Sequence, residues 1–484
     1  MHNNKIIFLI LFFTVMRLLV APSFGLGVDE AHYVLYGHFL DLSYVDHPPL
    51  VGWTQALFAH LFGESIFWAR VPAILLMALI SWECYRFLLF AKATESQALW
   101  GITALNSSFM FGAIGLMLLP ENFLLALVFP IVMSVLRIEY EGKTKDYIWL
   151  GVWLGLAGLS KYTAVILLPP LLLYILTKRR FDLLINPRIL LSAIIGLTMI
   201  LPVIFWNASH EWISFAYQSS HVTGSTVITF KPFIRSLSAQ FGAYNPFLFL
   251  IALYGVIVSF RSKNSAIILA LWIGLSIELF FILTSFLKPV LPHWPALFYL
   301  LFIPIGTVVL LSRGGKYGSI ARIGILISLL LSIVLHAELF GKWGSFPDYK
   351  SPFRDIYGFD TQIHDGVALL NTLPSSKKAL AVTNWSYGSR LHYYALPYGV
   401  KTFVLDNYNR QFALWEKESP VGYDLILLHS HFSDIPDSLQ CETIQPLKKE
   451  DILLNGKKVD TIEYLWCKNY QSIGGRKDLS LQNK

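Results

Sequence analysis

The chain has 484 residues, of which 55% are hydrophobic and 14% charged, and its mean hydropathy is +0.54. Soluble globular proteins carry about 25% charged residues, so this composition excludes a soluble protein and indicates an integral membrane protein. The net charge of +7 does not indicate a nucleic-acid partner, because the basic residues lie in short loops between apolar segments. Three cysteines without C-x-x-C or Cys/His zinc spacing exclude a disulfide scaffold and a zinc module.

Eleven apolar segments are candidates to cross the hydrocarbon core, which takes about 17–25 residues. The first begins after Lys5 like a signal sequence, but no small-x-small cleavage site follows, so we interpret it as a retained helix. The two segments beside Ser160 are short and would also fit one long or re-entrant element. The predicted spans are 6–24, 68–88, 98–118, 122–137, 147–160, 162–177, 189–206, 236–259, 265–287, 294–312 and 319–337.

The basic residues predict the orientation of these spans. Loops on one side hold fifteen Lys and Arg residues, and the alternate loops hold five. Since basic loops stay in the cytoplasm, the first set is cytoplasmic. The odd number of spans then divides the chain into a transmembrane domain, 1–337, and a periplasmic domain, 338–484.

Two outward regions are predicted to have structure of their own. The first loop, 25–69, contains no Lys or Arg, and its Leu50, Trp53, Leu57 and Leu61 recur at the spacing of an amphipathic interfacial helix. The tail alternates apolar runs at 379–382, 401–405 and 424–429 with helix-like stretches, which predicts a small α/β domain. Its Cys441 and Cys467 flank a predicted hairpin in an oxidising compartment, and whether they form a disulfide depends on the strand register.

Carboxylates directly follow the first span. Asp29 and Glu30 stand at the membrane surface, where a carboxylate can act as a general base or stabilise positive charge on a sugar ring. Equally, both residues fit the N-cap and first turn of a helix. Glu121, in the tight outward turn Pro120-Glu121-Asn122, has the same two interpretations.

Basic side chains beside rigid turns form a second pattern. In Asp46-His47-Pro48-Pro49 the two prolines fix the backbone. The motif either directs the side chains of Asp46 and His47 toward a ligand or is only a rigid turn that leads into the next helix. Lys161 follows a short span and either extends to the interface or meets a lipid phosphate. His221 lies in another outward loop.

The last outward loop reads Lys288-Pro289-Val290-Leu291-Pro292-His293-Trp294-Pro295. Its three prolines around a Lys and a His form a rigid basic surface suited to an anionic head group. We expect Asp29, Asp46, His47, Glu121, His221 and Lys288 to converge in one outward-facing cavity, since scattered surface charges would have no need of rigid proline turns beside them.

Taken in order, these motifs resemble the bacterial branch of the dolichyl-phosphate-mannose protein mannosyltransferase superfamily, which includes the lipid A aminoarabinose transferases. The resemblance covers about 25–300, and the tail is similar to the family's periplasmic domain. The matching pieces are Asp29-Glu30-Ala31-His32-Tyr33, Tyr44-Val45-Asp46-His47-Pro48-Pro49-Leu50, Pro120-Glu121, Ser160-Lys161-Tyr162-Thr163-Ala164, Trp206-Asn207 with His210 and Trp212, and Pro292-His293-Trp294-Pro295.

The resemblance implies a mainly α GT-C fold: a bundle of about eleven helices, periplasmic interfacial helices and a small C-terminal α/β domain. It implies that Asp29 is the catalytic or sugar-contacting carboxylate, with Glu30 beside it, and that Glu121 stands where relatives usually have Asp. Asp46 and His221 match positions associated with a divalent metal ion. His47 replaces a Lys beside the carrier phosphate, and Lys161, Lys288 and His293 are the other candidate phosphate ligands.

The predicted function is therefore an inverting transfer of a hexosyl or pentosyl group from polyprenyl (undecaprenyl) phosphate to a cell-envelope acceptor, lipid A or the lipopolysaccharide core. The alternative is a transporter or a flippase for lipid-linked sugars. Transporters usually show repeats and charges near the midplane, whereas the candidates here lie at one surface. A receptor built around the tail would need far fewer spans.

Overall fold

The structure is a computed structural model that describes residues 4–223, 228–344, 354–406, 410–431 and 433–473. The chain divides into two compact units. The first comprises Met1–Leu19, Asp41–Val51 and Arg70–His336, and the second comprises Val20–Leu40, Gly52–Ala69 and Ala337–Lys484. The second unit thus includes much of the first predicted outward loop in addition to the C-terminal tail.

The first unit is helical. Among its described residues, four helices are long and apolar enough to cross a membrane, or up to six spans if each of two bent pairs counts as one. The protein is thus a multi-pass membrane protein, and the count of eleven stays a prediction. The helices that lie in it wholly or mainly are Asn4–Val20, Ile66–Phe90, Glu95–Asn106, Phe109–Ile114, Pro120–Tyr140, Thr144–Ser160, the 3-10 helix Tyr162–Leu167, Leu168–Lys178, Phe181–Leu184, Arg188–Met199, Leu201–Ser209, Ile213–Thr223, Phe230–Ala243, Pro246–Ser259, Ser265–Ser285, Ala296–Ser312 and Gly315–Gly341.

The predicted span at 236–259 is bent. The helices Phe230–Ala243 and Pro246–Ser259 meet at an angle of 107°. The break lies at Asn245, whose φ of +68° is outside the helical region and whose side chain accepts a hydrogen bond from the Phe247 amide (3.1 Å). Because Pro246 then stands at the first helical position, where its missing N–H costs nothing, a new helix begins there.

Small residues let two helices of the first unit approach closely. A Cβ atom on Gly255 would lie 2.5 Å from the Phe302 carbonyl oxygen, and one on Gly306 would lie 2.2 Å from the Ile251 carbonyl oxygen. Both contacts are too short for any side chain, so the helices Pro246–Ser259 and Ala296–Ser312 pack backbone to backbone. This is how helices associate in lipid, where burial of apolar surface provides no driving force.

The second unit contains a five-stranded sheet in the order β2-β1-β3-β5-β4, formed by β1 (Lys378–Val382), β2 (Thr402–Val404), β3 (Asp424–His429), β4 (Leu439–Leu454) and β5 (Lys457–Ile473). Strands β1, β2 and β3 are parallel, and β5 pairs antiparallel with β3 and β4. The three predicted apolar runs coincide with β1, β2 and β3, and the small α/β domain is confirmed. The helices that lie wholly or mainly in the second unit are Val28–His38, Leu50–Phe62, Phe359–Thr372, Trp385–Ala395 and Arg410–Trp415, with short 3-10 helices at Arg354–Ile356 and Leu396–Tyr398.

The long hairpin of β4 and β5 brings two cysteines together. Cys441 and Cys467 have Cα atoms 5.5 Å apart and form a disulfide. The bond that the sequence left open is therefore present. The remaining cysteine, Cys84, is free and buried.

Candidate active site

Side chains from three segments of the first unit hold the Asp46-His47 turn in place. The Tyr44 amide donates to the His47 carbonyl oxygen (3.1 Å), which closes the turn before the two prolines. The Ser214 hydroxyl donates to the Tyr44 carbonyl oxygen (2.9 Å), and the Gln218 amide donates to the Asp46 carbonyl oxygen (2.6 Å). Both donors lie on the helix Ile213–Thr223, so that helix and the turn form one hydrogen-bonded assembly.

Tyr162 anchors the same turn from the other side. Its hydroxyl lies 3.1 Å from the Ser43 hydroxyl and accepts a hydrogen bond from the Asn207 amide (3.4 Å). The Asn207 side-chain oxygen in turn accepts from the Ser214 backbone amide (3.2 Å). The sequence motifs included Tyr162 and Asn207 but assigned them no role, because a positioning function depends on partners in distant segments.

A buried carboxylate lies at the start of the helix Pro120–Tyr140. The Asn122 side-chain oxygen caps this helix by accepting a hydrogen bond from the Leu119 amide (2.9 Å). Glu121 lies in the first turn, where the helix dipole favours a negative charge. The Glu121 side chain is 6% exposed and forms an ion pair with Lys161, which is 8% exposed. The Nε2 atom of His293 lies 3.6 Å from the same Glu121 oxygen.

His47 completes this group, since it also acts electrostatically on the Glu121 carboxylate. Glu121, Lys161, His293 and His47, called here the basic cluster, come from four separate segments. One carboxylate faces one ammonium and two imidazoles, so the cluster becomes positive when either histidine takes up a proton. Buried charges cost free energy unless they are paired. An added anion would pair with the charge that a protonated histidine brings to the cluster.

The segment that carries His293 is fixed to neighbouring helices. The Pro292 carbonyl oxygen accepts from the Tyr244 hydroxyl (2.9 Å), and the Val290 amide donates to the Ser236 hydroxyl (2.8 Å). In the same segment the Lys288 ammonium lies 5.9 Å from the Trp294 ring centre. Partial burial lowers the pKa of Lys288 to about 8. Lys288 is therefore easily neutralised, and a nearby anion would favour its charged form.

Asp29 and Glu30 lie in the second unit. A Glu30 carboxylate oxygen accepts a hydrogen bond from the Gly27 amide (3.1 Å), which caps the helix Val28–His38. Glu30 thus has the helix-capping role that was one of the two interpretations of Asp29 and Glu30. Asp29 interacts electrostatically with Arg390, whose guanidinium lies 4.0 Å from the Phe359 ring centre. Burial lowers the pKa of Arg390 to about 10. Arg390 was missed, because nothing in the local sequence links it to Asp29.

The implied metal ion was tested against its two predicted ligands. Asp46 interacts electrostatically with Tyr162, whereas the side chain of His221 lies outside the described residues. Within the described ranges, no group of three or more His, Cys, Asp or Glu side chains is arranged to hold a metal ion. The pair Asp46 and His221 stays a prediction.

The expected convergence is thus met in part. Within the first unit, His47 and Glu121 come together with Lys161 and His293, while Asp46 is fixed in the adjoining turn. Lys288 lies beside Trp294, the residue after His293. The convergence of Asp29 and His221 with this group stays a prediction.

An apolar helical unit with charged residues at helix ends, together with a small α/β domain, defines a polytopic membrane protein with the GT-C fold. The crystal structure of ArnT from Cupriavidus metallidurans bound to undecaprenyl phosphate matches with a TM-score of 0.60 at 13% identity, covering 96% of this chain and 98% of that one. The apo structure of the same protein matches with a TM-score of 0.58 at 12% identity.

Sequence comparison agrees with this fold. The family described as dolichyl-phosphate-mannose-protein mannosyltransferase matches residues 46–206. The lipid A galacturonosyltransferase RgtD of Rhizobium johnstonii is 21% identical over 282 residues, which are 56% of this chain and 58% of that protein. The undecaprenyl phosphate-alpha-4-amino-4-deoxy-L-arabinose arabinosyl transferase 1 of Proteus mirabilis is 25% identical over 143 residues, 29% of this chain and 26% of that protein.

The chain therefore spans little more than half the length of the first of these curated relatives and about a quarter of the second. The predicted resemblance to this superfamily is confirmed, as is the GT-C fold.

Proposed function

We propose that this protein transfers a sugar from a polyprenyl phosphate carrier to lipid A or another lipopolysaccharide acceptor at the outer face of the bacterial inner membrane. The observation that carries the proposal is the basic cluster, a desolvated set of cationic groups around Glu121. The names of the relatives favour the same chemistry, since one acts on lipid A and the other uses an undecaprenyl-phosphate sugar.

In this proposal the cationic groups bind the phosphate that leaves. As the bond between the anomeric carbon and the phosphate oxygen breaks, a second negative charge develops on that phosphate. Lys161, His47 and His293 would stabilise it within a site of low dielectric, where electrostatic interactions are strong. Lys288 would add a further charge below a pH of about 8.

Glu121 then acts as a positioning residue instead of a general base. Its carboxylate is already paired with Lys161 and adjoins His293, so its ability to accept a proton is reduced. By neutralising part of the cluster before the donor binds, it allows several cations to be buried together. When the carrier phosphate arrives, it would compete with Glu121 for the same donors.

The acceptor hydroxyl is deprotonated by Asp29, and Glu30 is a weaker candidate because its carboxylate caps a helix. Arg390 interacts with the Asp29 carboxylate electrostatically. Attack on the face opposite to the leaving phosphate inverts the configuration of the sugar. An acceptor phosphate would need no such base.

The decisive experiment incubates the purified full chain with radiolabelled undecaprenyl-phosphate sugars, hexose and pentose, and with lipid A as acceptor. Labelled lipid A and free undecaprenyl phosphate in equal amounts support the proposal. Movement of the labelled donor across proteoliposome membranes without any glycosylated product would instead identify a flippase. Alkaline phosphatase fused after residue 484 should be active if the proposed orientation is correct.

A further inference from the structure

A groove with a mainly apolar lining lies in the first unit. It has a volume of about 470 Å³ and lies between the helices Ile66–Phe90, Pro120–Tyr140 and Thr144–Ser160. Phe123 and Arg137, both in its lining, are fourteen residues apart on one helix, which corresponds to about 21 Å. The groove therefore extends over most of a hydrocarbon core of about 30 Å.

The two ends of the groove differ in charge. Leu50 and Phe123 mark one end, near the Asp46-His47 turn and Glu121 in the sequence. Arg86 and Arg137 mark the other end, and the lining between the ends is almost wholly apolar. Arg86 donates to the Glu83 carboxylate (3.0 Å) and is 46% exposed, so part of its guanidinium remains accessible.

The remaining charges near that end leave it positive. Arg137 is exposed and acts on Glu141, which forms an ion pair with Lys143. Trp149 and Trp153 stack with their ring centres 4.9 Å apart and line the same groove. Indole rings beside arginines are typical of the level of the lipid head groups.

We infer that this groove binds one anionic phospholipid, with an acyl chain between the three helices and its head-group phosphate at Arg86 and Arg137. The occupant enters from the leaflet that the Lys and Arg distribution assigns to the cytoplasm, where anionic head groups meet basic residues. The sugar donor fits less well, because its phosphate would lie with the basic cluster and not at Arg86 and Arg137. This inference does not depend on the proposed transfer activity.

Native mass spectrometry of the full-length protein can test this binding with phosphatidylglycerol and with phosphatidylcholine of the same acyl chains. We expect one phosphatidylglycerol to be retained in preference to phosphatidylcholine. The double variant R86Q/R137Q should lose affinity on the order of tenfold, since each interfacial arginine contributes modestly. The matched control R261Q/R322Q removes the same charge from exposed positions outside the groove and should bind as the wild type does.

A second variant separates shape from charge. L79W places an indole in the groove, keeps both arginines and should also reduce retention of phosphatidylglycerol. Equal retention of both lipids, or an equal loss in the control variant, would show only general contact with the bilayer and overturn the inference. Displacement of phosphatidylglycerol by undecaprenyl monophosphate, one for one, would assign the groove to the donor chain instead.

Discussion

Removing the ammonium of Lys161 should cost more stability than removing the whole ion pair. In K161M the Glu121 carboxylate stays 94% buried without its main partner, a situation that costs about 3–5 kcal/mol. His293, at 3.6 Å, can take up a proton and recover part of this loss. We therefore expect the lower end, about 3 kcal/mol.

The double variant E121Q/K161M removes both charges and leaves side chains of similar volume. Replacement of a buried pair by neutral groups is close to neutral in stability, so the double variant should unfold within about 1 kcal/mol of the wild type. The difference of about 2 kcal/mol between K161M and the double variant is the cost of leaving the Glu121 carboxylate buried without its partner, and the single variant E121Q completes the cycle from which the coupling free energy follows.

Reversible unfolding of the detergent-solubilised protein in increasing denaturant measures all four members of this cycle. As a control, the pair Arg86–Glu83, whose side chains are 46% and 15% exposed, should couple by less than about 1 kcal/mol. If K161M unfolds at the wild-type midpoint, then Glu121 and Lys161 are solvated, and the reasoning about a desolvated cluster fails.

Three further predictions concern the site and the second unit. D29N should lower kcat by about 10²–10⁴-fold with little change in donor binding, because it removes a base but little volume; near-normal turnover would exclude Asp29 as the base. Donor KM, measured from pH 6.5 to 9.5, should rise above a pH of about 8, because the lowered pKa of Lys288 means that its charge is present below that pH and lost above it. K288R, which stays charged, should flatten this rise, and a profile identical in both proteins would exclude Lys288 as a donor ligand. C441S/C467S should lose about 2–4 kcal/mol in unfolding free energy, since the disulfide closes a long loop across 26 positions; wild-type stability under non-reducing conditions would contradict this.

The membrane character, the α/β tail and the resemblance to the superfamily could all be predicted from local patterns. Apolar length determines whether a segment crosses a membrane, and alternating or continuous apolar runs bounded by turns predicted the strands at 378–382, 402–404 and 424–429. The charged motifs beside prolines identified His47, Glu121, Lys161 and His293 as candidates, because each motif is a short contiguous piece of chain.

Tertiary structure alone decided how these pieces combine. Glu121 and Lys161 are 40 residues apart, and their pairing depends on how two helix ends pack, which no local periodicity encodes. The interaction of Asp29 with Arg390 and the disulfide between Cys441 and Cys467 likewise depend on long-range packing. The 107° bend at Asn245 had a local signal in Asn-Pro, but a backbone with positive φ is stable there only because the surrounding helices accommodate it. Local patterns determine which segments form, and the packing of those segments determines which charges meet.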